Sequence, residues 1–318
     1  MSGSRDCDIS QIVDNIYIGG EKAVHRTDQL KQNNVTHILT INNVPLHRSY
    51  TETYKYMFVY GLDLEFTDLL GHFEECFDFI NDALDNGGGV LVHCMMGCSR
   101  SATIVIAYLM NKKKLTYSEA LELVKSMRPM VSPNEGFVSQ LLLFEEMDCT
   151  IDKTHEKFRQ YRLKKLATNL QGTTAEERSK LQSSYFDTSE EIKKDEVVFK
   201  CRKCRHALFK QSGIMKHTVG DGEVAFDWRG KVSSEKVEKS PDEVERVCAL
   251  SYFIEPVRWM AGSIQDLEGK LACPKCSCKI GSYIWYGERC PCGAWVAPAF
   301  HIQTAKVDIC KPRIVPNR

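Results

Sequence analysis

The 318-residue chain has no excess of either charge, with 42 Lys and Arg against 42 Asp and Glu. That balance removes the bulk electrostatic argument for binding nucleic acid or an anionic membrane. Long apolar runs are also missing. The longest, around residues 102–110, falls far short of the roughly 18–20 residues that cross a bilayer. Met1-Ser2-Gly3-Ser4-Arg5-Asp6-Cys7-Asp8 lacks the apolar stretch of a signal peptide. Ser2 stands where myristoylation needs glycine, and Ile314-Val315-Pro316-Asn317-Arg318 has no prenylation cysteine. A soluble, intracellular protein without a membrane partner is expected. No internal repeat appears.

Cysteine, by contrast, is plentiful. There are 14, five before residue 150 and nine after residue 200. In a reducing compartment they do not form a disulfide scaffold. The cysteine-free stretch between the two sets points to a domain boundary, and the chain exceeds what one core usually supports. Hydrophobic content of 43% and charged content of 26% are ordinary for a globular protein.

Residues 93–101 read His-Cys-Met-Met-Gly-Cys-Ser-Arg-Ser. The apolar run Gly89-Val90-Leu91-Val92 precedes them and Ala102 to Met110 follows, so the order is strand, loop, helix. A loop at a helix N-terminus gathers free backbone N–H groups at one spot, and the helix dipole adds its field there. Such a nest, Met95, Met96, Gly97, Cys98, Ser99 and Arg100, binds phosphate. Cys94 sits at its rim, where thiol pKa values drop from about 8.5 to roughly 3.5–7.5. Arg100 offers a planar fork to two phosphate oxygens. A thiolate beside a captured phosphoryl group is a nucleophile for ester cleavage. Cys98 reads either as a resolving thiol for an oxidised Cys94 or as a small apolar loop residue.

The loop resembles the signature of the cysteine-dependent protein phosphatases, in their dual-specificity branch. The match covers His93, Cys94, Gly97, Ser99, Arg100 and Ser101. Where that family has alanine this chain has Met96, whose longer side chain is expected to narrow the loop floor and lower activity. The resemblance extends over about residues 10–149, including Asn15 to Gly19, Val35 to Asn42 and Arg128 to Phe137. It implies an α/β fold of the protein-tyrosine-phosphatase type, a mostly parallel sheet flanked by helices. It also implies catalysis through a phosphocysteine on Cys94, without a catalytic metal. The leaving oxygen needs a proton from a carboxylic acid. Asp63, Glu65 and Asp68 follow the strand-like Tyr54 to Leu62. The family's acid lies at that strand's end, which matches Asp63; Asp68 reads as a helix cap and Glu65 as solvated. Ser101 is placed to bond the sulfur and ease its departure. His93 reads as an orienting partner rather than a base. Asn134 reads equally as a brace for the phosphate loop, which the resemblance implies, and as a helix cap.

Residues 151–195 read as a charged, partly helical linker. A basic cluster of Lys157, Arg159, Arg162, Lys164 and Lys165 is expected to be a solvated helix face, with contact to RNA or an acidic partner as the rival. From residue 196 to 318 the pattern is that of a small, β-rich, metal-built domain. Zinc takes four thiolate or imidazole ligands in a tetrahedron. Cys273 and Cys276 stand 13 residues before Cys290 and Cys292, a zinc-ribbon-like spacing. The other site pairs Cys201 and Cys204 with His217 and Cys248, the polar stretch between looping out. His206 lies too close to Cys204 to close a tetrahedron. Cys278 is a spare thiol that competes with Cys292, and the rival reading of Cys248 is a core cysteine beside Tyr252, Phe253 and Ile254. No acid or base stands out as partner to an open metal site, so both zinc ions are expected to be structural.

A phosphatase loop followed by such a domain resembles the dual-specificity protein phosphatase twelve family, whose yeast relative acts in ribosome assembly. Phe199 to Cys204, Tyr252 to Val257 and Trp285-Tyr286-Gly287 carry the match in the second half. The resemblance implies phosphoprotein substrates, phosphotyrosine and phosphoserine/threonine alike. It also implies pre-ribosomal particles as partners of the zinc domain, a role in large-subunit maturation, and a place in nucleus and cytoplasm.

Overall fold

Strand-forming sequence begins the first unit. β1 (Ile9–Val13) and β2 (Ile16–Gly19) pair antiparallel. Asn15, at φ 59°, supplies the left-handed turn between them. α1 (Thr27–Gln32) leads to β3 (Val35–Asn42), whose VTHILTIN sequence is buried at all but one position. Near-continuous burial is the mark of a parallel strand covered on both faces. α2 (Arg48–Thr51), β4 (Lys55–Tyr60), α3 (Phe73–Asp85) and β5 (Gly89–His93) follow. The sheet order is β1-β2-β5-β3-β4, and every pair but the first is parallel.

α4 (Arg100–Lys113) is the central helix, buried from Arg100 through Met110, so it has no solvated face along that stretch. α5 (Tyr117–Met127) starts at a capping box of Thr116 and Glu119, and α6 (Glu135–Glu146) is capped by Asn134. Both pack on α4. One face of the sheet closes on Leu30, Val24 and Tyr54, in a cluster with Ile38 and Leu91. β5 therefore ends, at His93, in the middle of the sheet and directly before the N-terminus of the buried helix.

The computed structural model describes residues 8–170, 173–186, 196–217, 219, 248 and 250–311. It divides into two compact units, Met1–His155 and Glu156–Arg318. Where the sequence suggests a linker, the second unit has α7 (Glu156–Leu170) and α8 (Ala175–Phe186). Leu163, Leu166, Ala167 and Leu170 of α7 enter the same core as Phe199, Phe253 and Trp285. The helical apolar spacing at Phe158, Tyr161, Leu163 and Leu166 is legible in the sequence; that the stripe packs into this core is not. Arg159, from the basic cluster, is not a solvated residue. It donates to Ser212 O at 2.9 Å and stands 3.4 Å from Glu255. The charge-dense residues 189–195, and the polar stretch after His217 apart from Val219, lie outside the described residues.

The rest of the second unit is β-rich. β6 (Val198–Cys201) and β7 (Ala207–Lys210) form a hairpin. β8 (Tyr252–Phe253), β9 (Glu268–Ala272), β10 (Lys279–Ile284), β11 (Glu288–Arg289), β12 (Trp295–Val296), β13 (Ala299–Ile302) and β14 (Val307–Cys310) complete it. They make sheets β14-β6-β7, β8-β13-β10-β9 and β11-β12. No helix among the described residues is long and apolar enough to cross a membrane.

Candidate active site and paired thiol clusters

The loop between β5 and α4 wraps the Cys94 sulfur. Gly97 N donates to Sγ at 3.2 Å and Ser101 Oγ at 3.3 Å. Its carbonyls are turned outward and held there. Met95 O accepts from Glu21 N at 2.9 Å, Met96 O from Arg128 Nη2 at 3.2 Å, and Gly97 O from Arg128 Nε at 2.8 Å. Carbonyls fixed outward leave amides facing inward, which is what an anion needs. Gly97 sits at φ 72°, and a Cβ there would lie 2.6 Å from the Gly19 carbonyl and 2.8 Å from Arg128 Nη2. Only glycine fits that corner.

Cys76 and Cys94 are both fully buried thiols of this unit. Burial pushes Cys76 well above its ordinary pKa. Burial opposes ionisation of Cys94 too, but the Ser101 hydroxyl, the Ser101 and Gly97 amides and Arg100 outweigh it and hold that thiol below its ordinary value. Burial raises Cys98. His93 Nε2 lies 2.7 Å from Thr40 Oγ1, and burial pulls the imidazole down to about 4. It is neutral near pH 7, as an orienting partner should be.

Arg100 is buried, and its Nη1 donates to Asn42 Oδ1 and to Gly61 O, each at 3.0 Å. Its Nε is buried without a hydrogen-bond partner. That orphaned donor marks the place of an anionic oxygen. Asp63 Oδ2 is 3.8 Å from the same Nε. Asp63 Oδ1 accepts from Ser99 Oγ at 2.7 Å and from Asn134 Nδ2 at 2.8 Å. Asn134 does both things expected of it. Its Oδ1 caps α6 through Phe137 N at 3.0 Å while its amide holds the carboxylate, and its N bonds Ser99 of the loop at 3.2 Å. Asp68 accepts from Gly71 N at 2.9 Å and so caps the short turn ahead of α3, while Glu65 is exposed.

α6 also anchors the segment that carries Asp63. Gln140 Oε1 accepts from Leu69 N and Leu70 N at 2.8 and 2.9 Å, and its Nε2 donates to Thr67 O at 2.8 Å. A Cβ at Gly136 would lie 2.0 Å from Glu65 O, so the segment rests directly on the helix backbone. Asn42, Arg128 and Gln140 were not singled out from sequence. Asn42 and Arg128 stood only inside longer stretches of the resemblance, and Gln140 had no local signal. Met96 is a correction. Its side chain is 63% exposed and does not narrow the loop floor.

In the second unit the eight expected ligands gather into two clusters, but with the pairs exchanged. Cys201, Cys204, Cys273 and Cys276 form one; His217, Cys248, Cys290 and Cys292 form the other. Within each, the ligand atoms lie within 4.8 Å of one another. The expected pairing of Cys273 and Cys276 with Cys290 and Cys292 fails because β10, six residues long, carries the chain about 20 Å along before those cysteines arrive. The Cys-x2-Cys turn of the β9–β10 hairpin instead faces that of the β6–β7 hairpin. Both turns have the same form. Cys201 N donates to His206 O and Cys273 N to Cys278 O, with Arg205 and Ser277 at φ 62° and 54°.

A tetrahedral zinc with sulfurs at about 2.3 Å sets sulfur–sulfur separations of about 3.8 Å. Here Cys201–Cys276 is 3.8 Å, Cys204–Cys273 3.6 Å and Cys248–Cys290 3.7 Å, with His217 Nε2 3.4 Å from Cys292. The donor sets fit the ion. Cys278 lies 3.6 Å from Cys201 and 3.3 Å from Cys276, so it adjoins the first cluster and does not compete with Cys292. Cys248 is a member of the second cluster, and it is half-buried against the apolar core that holds Phe253 and Ile254.

A buried, ionisable cysteine in a phosphate nest at the centre of a mostly parallel sheet defines a cysteine-dependent phosphatase. Residues 16–147 match the family described as dual specificity phosphatase, catalytic domain. The chain is 38% identical over 301 residues to dual specificity protein phosphatase 12 of Homo sapiens, covering 92% of this chain and 86% of that one. It is 32% identical over 338 residues to tyrosine-protein phosphatase YVH1 of Saccharomyces cerevisiae, covering 96% and 93%. The solved Yvh1 phosphatase domain from Chaetomium thermophilum aligns at 32% identity and a TM-score of 0.42, covering 46% of this chain and 99% of that one. The chain belongs to the dual-specificity protein phosphatase 12 family, and it is a dual-specificity protein phosphatase acting on phosphoproteins.

Proposed function

We propose that Cys94 is the nucleophile, Arg100 the phosphate-binding cation, Asp63 the general acid and Ser101 the residue that eases release. The Cys94 sulfur attacks phosphorus while the P–O ester bond breaks, and the leaving oxygen takes a proton from Asp63. Water then attacks the phosphocysteine and gives its proton to the Asp63 carboxylate. The S–P bond breaks, and the thiolate is received by the Ser101 hydroxyl. The observation that carries this reading is the Cys94 sulfur, buried yet lowered in pKa, beside the orphaned Nε of Arg100. Rapid acid quench with radiolabelled substrate is the test. Label should stay on the wild-type chain and be absent from Cys94→Ser; label on both would overturn it.

The two clusters of the second unit are read as zinc sites, on their separations and donor sets. Each would stabilise the fold by neutralising and tethering buried thiolates. A docking role for this unit is supported by the exposed Trp295, Tyr286 and Leu250, near the second cluster's residues in the chain, and pre-ribosomal particles as its partner rest on the family resemblance alone. Truncation at residue 155, compared with Cys94→Ser for retention on pre-ribosomes, separates docking from catalysis.

A further inference from the structure

Four methionines are exposed among the described residues: Met95, Met96, Met127 and Met130, at 42, 63, 50 and 48%. All four line one groove of about 500 Å³, together with Pro129 and the Gly20–Lys22 segment. Two of them are members of the phosphate loop itself. The other two come from the end of α5 and the turn after it. Methionines elsewhere in the unit, such as Met110 and Met147, are buried. Soluble surfaces do not gather flexible apolar side chains at one place without cost.

Two of the groove's charged side chains are already engaged, and the exposed Glu21 and Lys22 are adjacent in the chain and opposite in charge. Arg128 is spent on Gly97 O, Met96 O and Ser10 Oγ, and Asp8 on Arg26 at 2.8 Å. A second phosphate would find Arg128 taken, and Lys22 with the carboxylate of Glu21 next to it in the chain. An apolar side chain would find four polarisable thioethers that adapt to its shape. The groove is continuous with the loop that takes the phosphate, and a phosphoprotein must lay its chain beside that loop. The geometry points to a specificity subsite for a large apolar side chain of the substrate, flanking the phosphorylated residue. The subsite rests on the phosphatase reading above. Thioethers repack around leucine, phenylalanine or methionine, so the selection is for bulk rather than for one shape.

The test uses the full chain and matched phosphopeptides that carry Leu, Phe or Ser at each of three positions on either side of the phosphorylated residue. At one flanking position Leu and Phe should raise kcat/KM roughly tenfold over Ser, the effect of burying most of one such side chain. The double variant Met127→Ser/Met130→Ser should bring that ratio to about twofold or less while aryl phosphate turnover stays at the wild-type level. Both side chains are surface-exposed, and an unchanged rate of Cys94 alkylation would show the loop intact. A flat panel on an enzyme that hydrolyses aryl phosphate overturns the subsite alone. So does a preference that survives the double variant, or a flat panel with a solution dimer that the double variant dissolves, which would give the groove to a second copy. Absence of aryl phosphate hydrolysis in the wild type overturns the phosphatase reading and the subsite with it.

Discussion

The two units use the same element, sulfur, in opposite ways. In the first, one buried thiol is surrounded by donors that stabilise its anion, while burial holds Cys76, equally buried and without them, in its protonated form. In the second, thiols face other thiols. Cys276 is drawn down to about 6 by the Cys278 amide and thiol, and contact with Cys276 pushes Cys278 up to about 12. Without a metal only some thiols of such a group ionise, whereas a divalent cation would favour the thiolate at each of its ligands. Burial does not decide what a cysteine does; the charge and donors around it do. Stability divides in the same way. The first unit has a sheet with apolar cover on its own account, whereas four thiols of the two clusters, Cys201, Cys273, Cys290 and Cys292, are part of the second unit's apolar core.

The sharpest break in this comparison is Cys94→Ser, which should bring aryl phosphate hydrolysis to background without altering the second unit. Next comes metal removal. A structural zinc is worth about 10–16 kcal/mol in small domains, as much as or more than the roughly 5–15 kcal/mol that holds a domain folded. A strong chelator, or Cys273→Ser, should therefore unfold residues 156–318 and leave aryl phosphatase activity largely in place. All four tryptophans lie in that unit, so a red-shifted emission reports its unfolding alone. Elemental analysis should find two ions per intact chain. Cys201→Ser and Cys273→Ser should lose the same ion, a result the pairing by sequence proximity does not allow.

Asp63→Asn comes third. Turnover of a poor leaving group such as a phenyl or alkyl phosphate should fall about 10²–10³-fold, and that of a nitrophenyl phosphate far less. The same pattern in Asp68→Asn, with Asp63→Asn unaffected, would move the acid. A smaller change is expected of Ser101→Ala. Its hydroxyl stabilises the thiolate, so its loss raises the Cys94 pKa. The ascending limb of the pH profile for alkylation by iodoacetamide should then move to higher pH, with slower reaction below the wild-type pKa and little change well above it. Smallest of all, Cys98→Ser should keep most activity, since Cys98 holds only a 3.6 Å contact to Met96 O.

What could be read from sequence was whatever the chain holds within a few residues. Cys94, Gly97, Ser99, Arg100 and Ser101 form one loop, and a loop of fixed length at a helix start has little freedom. Six of the eight candidate ligands were legible because each Cys-x2-Cys or Cys-x-Cys turn is local, and His217 and Cys248 were left as the best candidates to complete a set. Their partition was not, because it depends on which hairpins meet. The same limit hid Asn42, which reaches Arg100 across the sheet, and Gln140, which ties the acid-bearing segment from a helix some seventy positions away. α7 was legible as a helix from its apolar spacing, but not its membership of the second unit's core, because a few apolar positions among many charges look like a solvated helix until something packs against them. Met96 was misjudged on size, when its direction mattered.

The exchanged pairs have a consequence for the order of events as the chain is made. Along the chain the ligands run first cluster, second, first, second. Neither cluster can be completed by a contiguous half of the unit. During synthesis from the N-terminus, Cys201 and Cys204 wait for residue 276, and His217 and Cys248 wait for residue 292. A ribosome stalled at residue 260 would carry two incomplete sets of ligands, whereas the pairing suggested by proximity would already have closed one. A chain that ends before Cys276 completes neither set of ligands, and one that ends between Cys276 and Cys290 completes only the first.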